Sequence, residues 1–202
     1  MRVDEREHQV TTQVSPHWPA ATSGRRVLVL GGSRSGKSRY AEQYFGTGLP
    51  VTYVATAPDF PDDAEWADRV RQHRSRRPAA WSTVETGDPA RVLDGAADGV
   101  PILVDSVTTW LSRVMDDCAC WGDELPGESA ERLSAALDAL AGAWANTAAL
   151  AVAVSDEVGS GIVPESVAVR RFRDVLGELN QRLAAQADEV WLVTAGIPLR
   201  LR

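Results

Sequence analysis

The 202-residue chain is 44% hydrophobic, which is enough for one well-cored domain. Its formal net charge of −7 at pH 7 argues against a duplex nucleic-acid binder, because recognition of a phosphate backbone normally needs a basic face. No apolar run approaches the roughly 18 residues of a membrane span and the start of the chain is polar, so we expect a cytoplasmic protein with no membrane span.

Residues 1–24 mix charged residues with Thr, Ser and Pro and show no period, which is typical of a disordered extension. We therefore expect one folded domain at 25–202.

The first predicted strand, Val27-Leu28-Val29-Leu30, leads into Gly31-Gly32-Ser33-Arg34-Ser35-Gly36-Lys37-Ser38, a full match to the phosphate-binding loop G-x-x-x-x-G-K-[ST]. A helix follows from Ser38, and Gly46 and Gly48 end it. The loop's backbone N–H groups can surround phosphate oxygens, Lys37 can reach the terminal phosphates, and the Ser38 hydroxyl can bind Mg²⁺. A glycine-rich turn that matches by chance is the alternative. We predict a nucleoside triphosphate site.

Lys37 is also the only lysine of the chain, since the other basic side chains among the 21 Lys and Arg residues are arginines. An ammonium group is a compact point charge that fits between two phosphates, whereas a guanidinium forks around them. The retention of one lysine at this position supports the prediction of a nucleotide site.

The second predicted strand, residues 51–55, ends before Thr56-Ala57 and a turn at 58–61. In the helix predicted next, Trp66, Val70 and His73 share one face. A neutral imidazole is a competent nucleophile toward phosphorus, and the nearby guanidinium groups would neutralise a triphosphate. On spacing alone, however, a packing or surface histidine and a solvated arginine face fit better. The arginines are Arg69, Arg71, Arg74, Arg76 and Arg77.

Two further predicted strands end in a carboxylate. Residues 81–85 end in Glu85, which either contacts a ribose or base or is a plain surface residue. After a helix at 89–97, the apolar strand 101–105 ends in Asp105, where P-loop enzymes keep the carboxylate that holds Mg²⁺; an ordinary strand-end residue is the alternative. The next helix has an apolar face formed by Val107, Trp110, Leu111 and Val114.

The remaining elements are a loop at 116–127, a helix at 128–146, a strand at 148–155, a polar loop at 156–164, a helix through Leu183, and strands at 189–193 and 199–201. Arg170, Arg171 and Arg173 in the last helix either meet an anionic substrate or form a solvated face. Cys118 and Cys120 read as two reduced thiols. Strands and helices that alternate in this way predict a single-domain P-loop NTPase-like fold, an open, mostly parallel α/β sheet flanked by helices.

Several motifs in order resemble one known family from about residue 26 to the C-terminus. Besides the phosphate loop they are Ala55-Thr56-Ala57, Arg69-Val70 with His73-Arg74, Arg77-Pro78 and Trp81, residues 154–159, residues 161–165, Phe172-Arg173-Asp174, Asn180-Gln181 and Ala187-Asp188. Together they are similar to the bifunctional adenosylcobinamide kinase / adenosylcobinamide-phosphate guanylyltransferase of cobalamin biosynthesis. The family normally has Asn at the position of Asp156, and commonly has Asn at the position of Arg113.

The resemblance implies that adenosylcobinamide is phosphorylated with ATP or GTP and that Lys37, Asp105 and Mg²⁺ stabilise the transferring group. It also implies that His73 takes GMP from GTP and passes it to adenosylcobinamide phosphate. Ser38 and Asp105 would be the metal ligands, and family likeness suggests a homo-oligomer, a trimer. The implied nucleotide contacts are Gly31, Gly32, Ser33, Arg34, Ser35, Gly36, Lys37, Ser38, Ala55, Thr56, Ala57, Arg74, Ser75, Arg76, Arg77 and Glu85.

Two other functions are compatible with a phosphate loop. A single-activity P-loop small-molecule kinase would use the same fold without a covalent nucleotide on histidine. A regulatory GTP-binding switch is weaker, although Asp156-Glu157-Val158-Gly159 matches its short D-x-x-G pattern. Such switches select guanine with N-K-x-D, which a chain whose only lysine is Lys37 does not contain.

Overall fold

The structure is a computed structural model that describes residues 24–45, 48–57, 71, 74–75, 77–96 and 99–202. In chain order its elements are β1 Arg26–Gly31, α1 Lys37–Gln43, β2 Thr52–Ala55, β3 Ser82–Glu85, α2 Pro89–Asp94, β4 Ile102–Asp105, α3 Val107–Asp117, α4 Gly127–Asn146, β5 Ala151–Asp156, α5 Val167–Gln186, β6 Glu189–Thr194 and β7 Ile197–Arg200.

The strands of the described residues form one seven-stranded sheet in the order β3-β2-β4-β5-β1-β6-β7. All neighbouring pairs are parallel except β6 with β7. This confirms the predicted open, mostly parallel sheet flanked by helices. The carboxyl ends meet at one edge, where Gly31 pairs in register with Asp156, and Ala55 with both Asp105 and Glu85.

The central strands are apolar on both faces because helices cover both sides of the sheet. Side chains alternate along β1, so Leu28 packs on one face and Val27 and Val29 on the other. The Leu28 face carries a core with Trp110 and Trp144, and the opposite face a core with Tyr40, Phe45 and Trp81. Burial on both faces fixes β1 in the centre of the sheet and therefore fixes the loop that follows it.

Local sequence explains the helix ends. Helix α3 begins with a capping box, in which the Ser106 hydroxyl accepts a hydrogen bond from the Thr109 N–H and the Thr109 hydroxyl accepts one from the Ser106 N–H. Its four predicted apolar residues are all buried, which confirms that prediction. Helix α2 ends at Asp94 rather than at residue 97, because Gly95 caps it and its N–H donates to the Arg91 carbonyl.

Some predictions fall on residues outside the described ranges. These are the extension up to residue 23, the helix that carries Trp66, Val70 and His73, and the glycine at 46 that was expected to end α1. Helix α1 ends at Gln43, with Tyr44 as its cap. In the described part of the chain no helix has the length and apolar character needed to cross a bilayer. Cys118 and Cys120 are buried thiols without a disulfide, and burial raises the pKa of Cys120.

Candidate active site

The phosphate loop is shaped by contacts that leave no space for a side chain at Gly31 and by a backbone conformation that favours glycine at Gly36. A Cβ on Gly31 would lie 2.6 Å from the Val193 carbonyl oxygen and against the Ser35 hydroxyl. Gly36 has φ 95°, a left-handed conformation that favours glycine, at the cap of α1. The Ser35 N–H donates to the Gly32 carbonyl (3.2 Å). The turn of the loop is therefore set by its glycines and by β6 beside it.

Lys37, the first residue of α1, turns back over this loop. Its Nζ lies 2.5 Å from Oδ1 of Asp156 and 3.3 Å from the Gly32 carbonyl oxygen. The Lys37 side chain is 13% exposed and that of Asp156 is 25% exposed. The ammonium group is thus held inside the loop, where terminal phosphates of a nucleotide bind in proteins with this motif.

Asp105 ends β4 next to the loop and is bonded on both oxygens. Oδ1 accepts a hydrogen bond from the Ser38 hydroxyl (3.3 Å), and Oδ2 accepts one from the Tyr53 hydroxyl (2.6 Å). A hydroxyl and a carboxylate this close are oxygen donors that one Mg²⁺ ion can contact together, so the donor set fits the predicted ion. The structure brings the two predicted metal ligands together, as the sequence suggests.

The Thr56 side chain forms structural hydrogen bonds with Ser106, the residue after Asp105. This side chain is fully buried, and its hydroxyl donates to the Ser106 carbonyl (2.6 Å) and accepts from the Ser106 N–H (3.0 Å). The hydroxyl is therefore engaged within the protein, and it ties the end of β2 to the end of β4. The nucleotide contact predicted for Ala55, Thr56 and Ala57 stays a prediction.

The predicted base or ribose contacts lie at the β3 end of the sheet edge. Arg74 forms an ion pair with Glu85, and both side chains are more than half exposed. The Arg77 guanidinium stacks on the ring of Tyr53, 3.4 Å from its centroid, and donates to the Thr83 hydroxyl (3.0 Å). Two strand spacings, about 10 Å, separate Glu85 from Asp105 along the same edge.

The other residues predicted in this part of the site are Ser75, Arg76 and His73. Ser75 is exposed, whereas Arg76 and His73 lie outside the described ranges. Their functional roles stay predictions.

Arg170, Arg171 and Arg173 of α5 are half-buried rather than a plain solvated face, and their contact with an anionic substrate stays a prediction. Their guanidinium groups donate to backbone carbonyl groups of the two loops that flank the helix. Arg170 bonds Pro164 and Glu165, Arg173 bonds Gly159 and Ile162, and Arg171 bonds Cys120, Gly122 and Asp123. Carbonyl groups of irregular backbone need donors, and these arginines supply them.

The partners of Asp105 and Lys37 were not predicted from the sequence. Tyr53 orients Asp105, and no spacing pattern indicates this, because the two residues belong to different strands. Asp156 binds Lys37, and here a signal existed: Asp156 follows an apolar strand just as Asp105 does. The Asp156 backbone is in turn held by the Thr108 hydroxyl and the Asn180 amide.

Solved structures share the fold at low sequence identity. A prototypical ATPase from the type III secretion system of pathogenic bacteria matches with a TM-score of 0.55 and 15% identity, over 85% of this chain and 51% of that one. The assembled ATPase EscN from the enteropathogenic E. coli type III secretion system gives 0.53 and 14%, over 85% and 43%. This chain thus spans about half of the first ATPase and less than half of EscN. These likenesses support the P-loop NTPase fold alone.

Sequence relatives are much more similar. The bifunctional adenosylcobalamin biosynthesis protein CobU of Escherichia coli (strain K12) is 41% identical over 184 residues, covering 87% of this chain and 99% of that protein. CobP of Pseudomonas aeruginosa, with the same description, is 36% identical over 182 residues, covering 88% and 97%.

The model of one protein family, described as cobinamide kinase / cobinamide phosphate guanyltransferase, matches residues 27–201. That range includes the phosphate loop, Tyr53, Asp105 and Asp156. The chain therefore belongs to this transferase family, CobU.

Proposed function

We propose that the chain phosphorylates adenosylcobinamide with ATP or GTP and then transfers GMP from GTP to adenosylcobinamide phosphate, which gives adenosylcobinamide-GDP. The observation that supports this most directly is the cluster of Lys37, Ser38 and Asp105 at the mouth of the phosphate loop. The family, whose two activities are of these kinds, supports the choice of acceptor.

In the kinase step the loop holds the triphosphate and Lys37 contacts its terminal phosphates. The acceptor hydroxyl loses its proton to solvent as its oxygen forms a bond to the γ-phosphorus. The bond between that phosphorus and the β,γ-bridging oxygen breaks, so that the nucleoside diphosphate leaves. Lys37 stabilises the charge that develops on the leaving diphosphate. Ser38 and Asp105 would hold Mg²⁺, which supplies additional neutralisation of phosphate charge when bound.

In the guanylyl step the imidazole of His73 is the nucleophile. A nitrogen of the ring forms a bond to the α-phosphorus of GTP. The bond between that phosphorus and the α,β-bridging oxygen breaks, so that pyrophosphate leaves. The phosphate of adenosylcobinamide phosphate then displaces the histidine and carries away GMP. Two displacements suit a bulky acceptor, because GTP is activated before the acceptor arrives. The family resemblance supports this role for His73.

The proposal also includes an oligomeric state and a cellular location. The family resemblance suggests a trimer, and composition suggests a cytoplasmic protein. Equilibrium sedimentation of the purified chain measures the first of these directly.

The test uses GTP labelled at the α-phosphate. We expect an acid-labile, alkali-stable label on the protein, because a phosphoramidate hydrolyses in acid and resists base. His73→Ala should abolish labelling and guanylyl transfer while phosphorylation of adenosylcobinamide continues. His17 is a histidine in the N-terminal extension, so His17→Ala is the matched control. This variant should take up the α-phosphate label as the parent does.

Each other outcome has a definite meaning. Loss of both activities in His73→Ala contradicts the division of roles between His73 and the phosphate loop. Phosphorylation of adenosylcobinamide without any protein label supports the single-activity kinase instead. A chain that binds GTP and transfers neither group contradicts both enzymatic functions.

A further inference from the structure

The ion pair between Lys37 and Asp156 occupies the one lysine on which the proposed function depends. The two side chains meet at 2.5 Å and are mostly withdrawn from solvent, with exposed fractions of 13% and 25%. A charge pair in such surroundings is screened less than one at the surface. A nucleotide whose terminal phosphate needs Lys37 must therefore compete with a carboxylate already bound to it.

The position of Asp156 is fixed by its backbone. Its N–H donates to the Thr108 hydroxyl (2.8 Å), and its carbonyl accepts from the Asn180 amide (3.0 Å). The next N–H, of Glu157, donates to the Gly31 carbonyl (3.1 Å), which joins the end of β5 to the start of the loop. None of these bonds uses the Asp156 carboxylate, so the side chain is available to change partners while the strand stays in place.

The neighbouring carboxylates have other partners. Asp105 accepts hydrogen bonds from Ser38 and Tyr53, and Oε1 of Glu157 accepts one from the Gly159 N–H (2.7 Å). Within the described residues, Lys37 forms its ion pair with Asp156. The neutralisation of Lys37 therefore depends on the Asp156 side chain. Glu157, the next residue, carries the same charge and serves as a comparison.

We propose that Asp156 is a specificity-determining residue of the nucleotide site: it is a displaceable counter-ion that neutralises Lys37 in the empty loop and yields it to a terminal phosphate. The inference rests on the proposed function. Displacement leaves the Asp156 charge near the phosphates, so the carboxylate lowers the affinity for nucleotides that reach Lys37. It also favours departure of the diphosphate product, because Asp156 recaptures the lysine.

The proposal predicts which nucleotides are affected. The lysine of this motif reaches the β- and γ-phosphates, so GTP and GDP compete with Asp156 and GMP does not. Removing the charge in Asp156→Asn should tighten binding of GTP and GDP by about tenfold, a typical size for coupling through one charged pair. GMP affinity should change only by the long-range effect of one lost negative charge.

The experiment is isothermal titration calorimetry of the full chain with Mg²⁺ and three ligands: the α,β-methylene analogue of GTP, GDP and GMP. The analogue cannot release pyrophosphate, so binding is measured without turnover. Glu157→Gln is the matched control, because it removes the same charge from the adjacent residue and leaves the Lys37 ion pair intact. Asp156→Ala is a second variant that removes the hydrogen-bond acceptor as well as the charge.

The expected result is tighter binding of the GTP analogue and GDP in both Asp156 variants, beyond the shift seen in Glu157→Gln, whereas GMP affinity should change no more than it does in Glu157→Gln. Damage to the fold would weaken binding, so tightening is not a structural artefact. Equal shifts in the Asp156 and Glu157 variants, or weaker binding in Asp156→Asn, would overturn the inference. Neither result alters the His73 labelling test, so failure here and failure of the proposed function are separable.

Discussion

The Tyr53 hydroxyl lies 2.6 Å from Oδ2 of Asp105 and donates a hydrogen bond to it across two neighbouring strands. Burial, with the adjacent Asp105 carboxylate adding to it, raises the pKa of Tyr53 far above its usual range, so the phenol stays a donor. The bond leaves Oδ1 of Asp105 facing Ser38. Strand β2 therefore decides how the carboxylate at the end of β4 is oriented.

Tyr53→Phe should weaken the use of Mg²⁺ while leaving the fold intact. Without the phenol Asp105 loses its orienting donor, and loss of such an outer partner costs about tenfold in metal affinity. We expect the Mg²⁺ concentration for half-maximal kinase activity to rise by about that factor. Tyr44→Phe is the control, since the Tyr44 hydroxyl lies near Glu189, at the amino end of β6. An unchanged Mg²⁺ requirement in Tyr53→Phe would contradict the orienting role.

Gly31→Ala and Gly32→Ala should differ in stability although they are adjacent. A Cβ at Gly31 meets the Val193 carbonyl oxygen at 2.6 Å, whereas one at Gly32 meets nothing within 4 Å. Overpacking against backbone costs about 1–3 kcal/mol, so we expect that loss in the free energy of unfolding of Gly31→Ala. Gly32→Ala should stay within about 0.5 kcal/mol of the parent. Urea unfolding measures both, and equal values would show that the loop relaxes freely around Gly31.

Arg173→Ala should loosen the loop that follows β5. Its guanidinium donates to the Gly159 and Ile162 carbonyls, and Ile162 itself is 96% exposed, so few apolar contacts replace those bonds. We expect amide hydrogen exchange at residues 157–165 to become about tenfold faster, the equivalent of about 1.4 kcal/mol. Arg182→Ala removes an exposed ion pair with Asp138 and should leave that exchange unchanged. Identical exchange in both variants would mean that the arginine does not hold the loop.

The tyrosines should make stability fall at alkaline pH. Tyr40, Tyr44 and Tyr53 are the three tyrosines of the chain, and burial raises the pKa of each above 10.0, that of Tyr44 to about 12. The unfolded chain therefore loses these protons first as pH rises. The stabilisation is complete below pH 10.0 and is lost as pH rises from there through the folded values.

Ultraviolet absorbance of tyrosinate checks this prediction. In urea the absorbance should rise around pH 10.0, and in the native chain only at higher pH, together with unfolding. Normal titration of a tyrosine in the folded chain, with circular dichroism unchanged, would contradict the burial of its hydroxyl.

Most of the fold was predictable because its signals are local. The strand that ends at Gly31, the apolar face of α3 and the strand that ends at Asp105 all follow from short-range pattern, and the structure contains each. Helix α2 ends at Asp94, three residues before the predicted end at residue 97, because Gly95 caps the helix. The candidate site was predictable only as a set of positions: the loop, Ser38 and Asp105 come together, whereas the roles of Glu85 and His73 stay predictions.

The phosphate-binding loop, the parallel α/β sheet and the family can be inferred from the sequence alone, because the glycine pattern, the strand and helix periods and the ordered motifs are local features of the chain. Which side chains face one another across strands depends on the tertiary structure. That Tyr53 orients Asp105 and that Asp156 neutralises Lys37 each depend on residues far apart in sequence. Strand order and register, which are set by burial of the whole sheet, bring these pairs within hydrogen-bond distance.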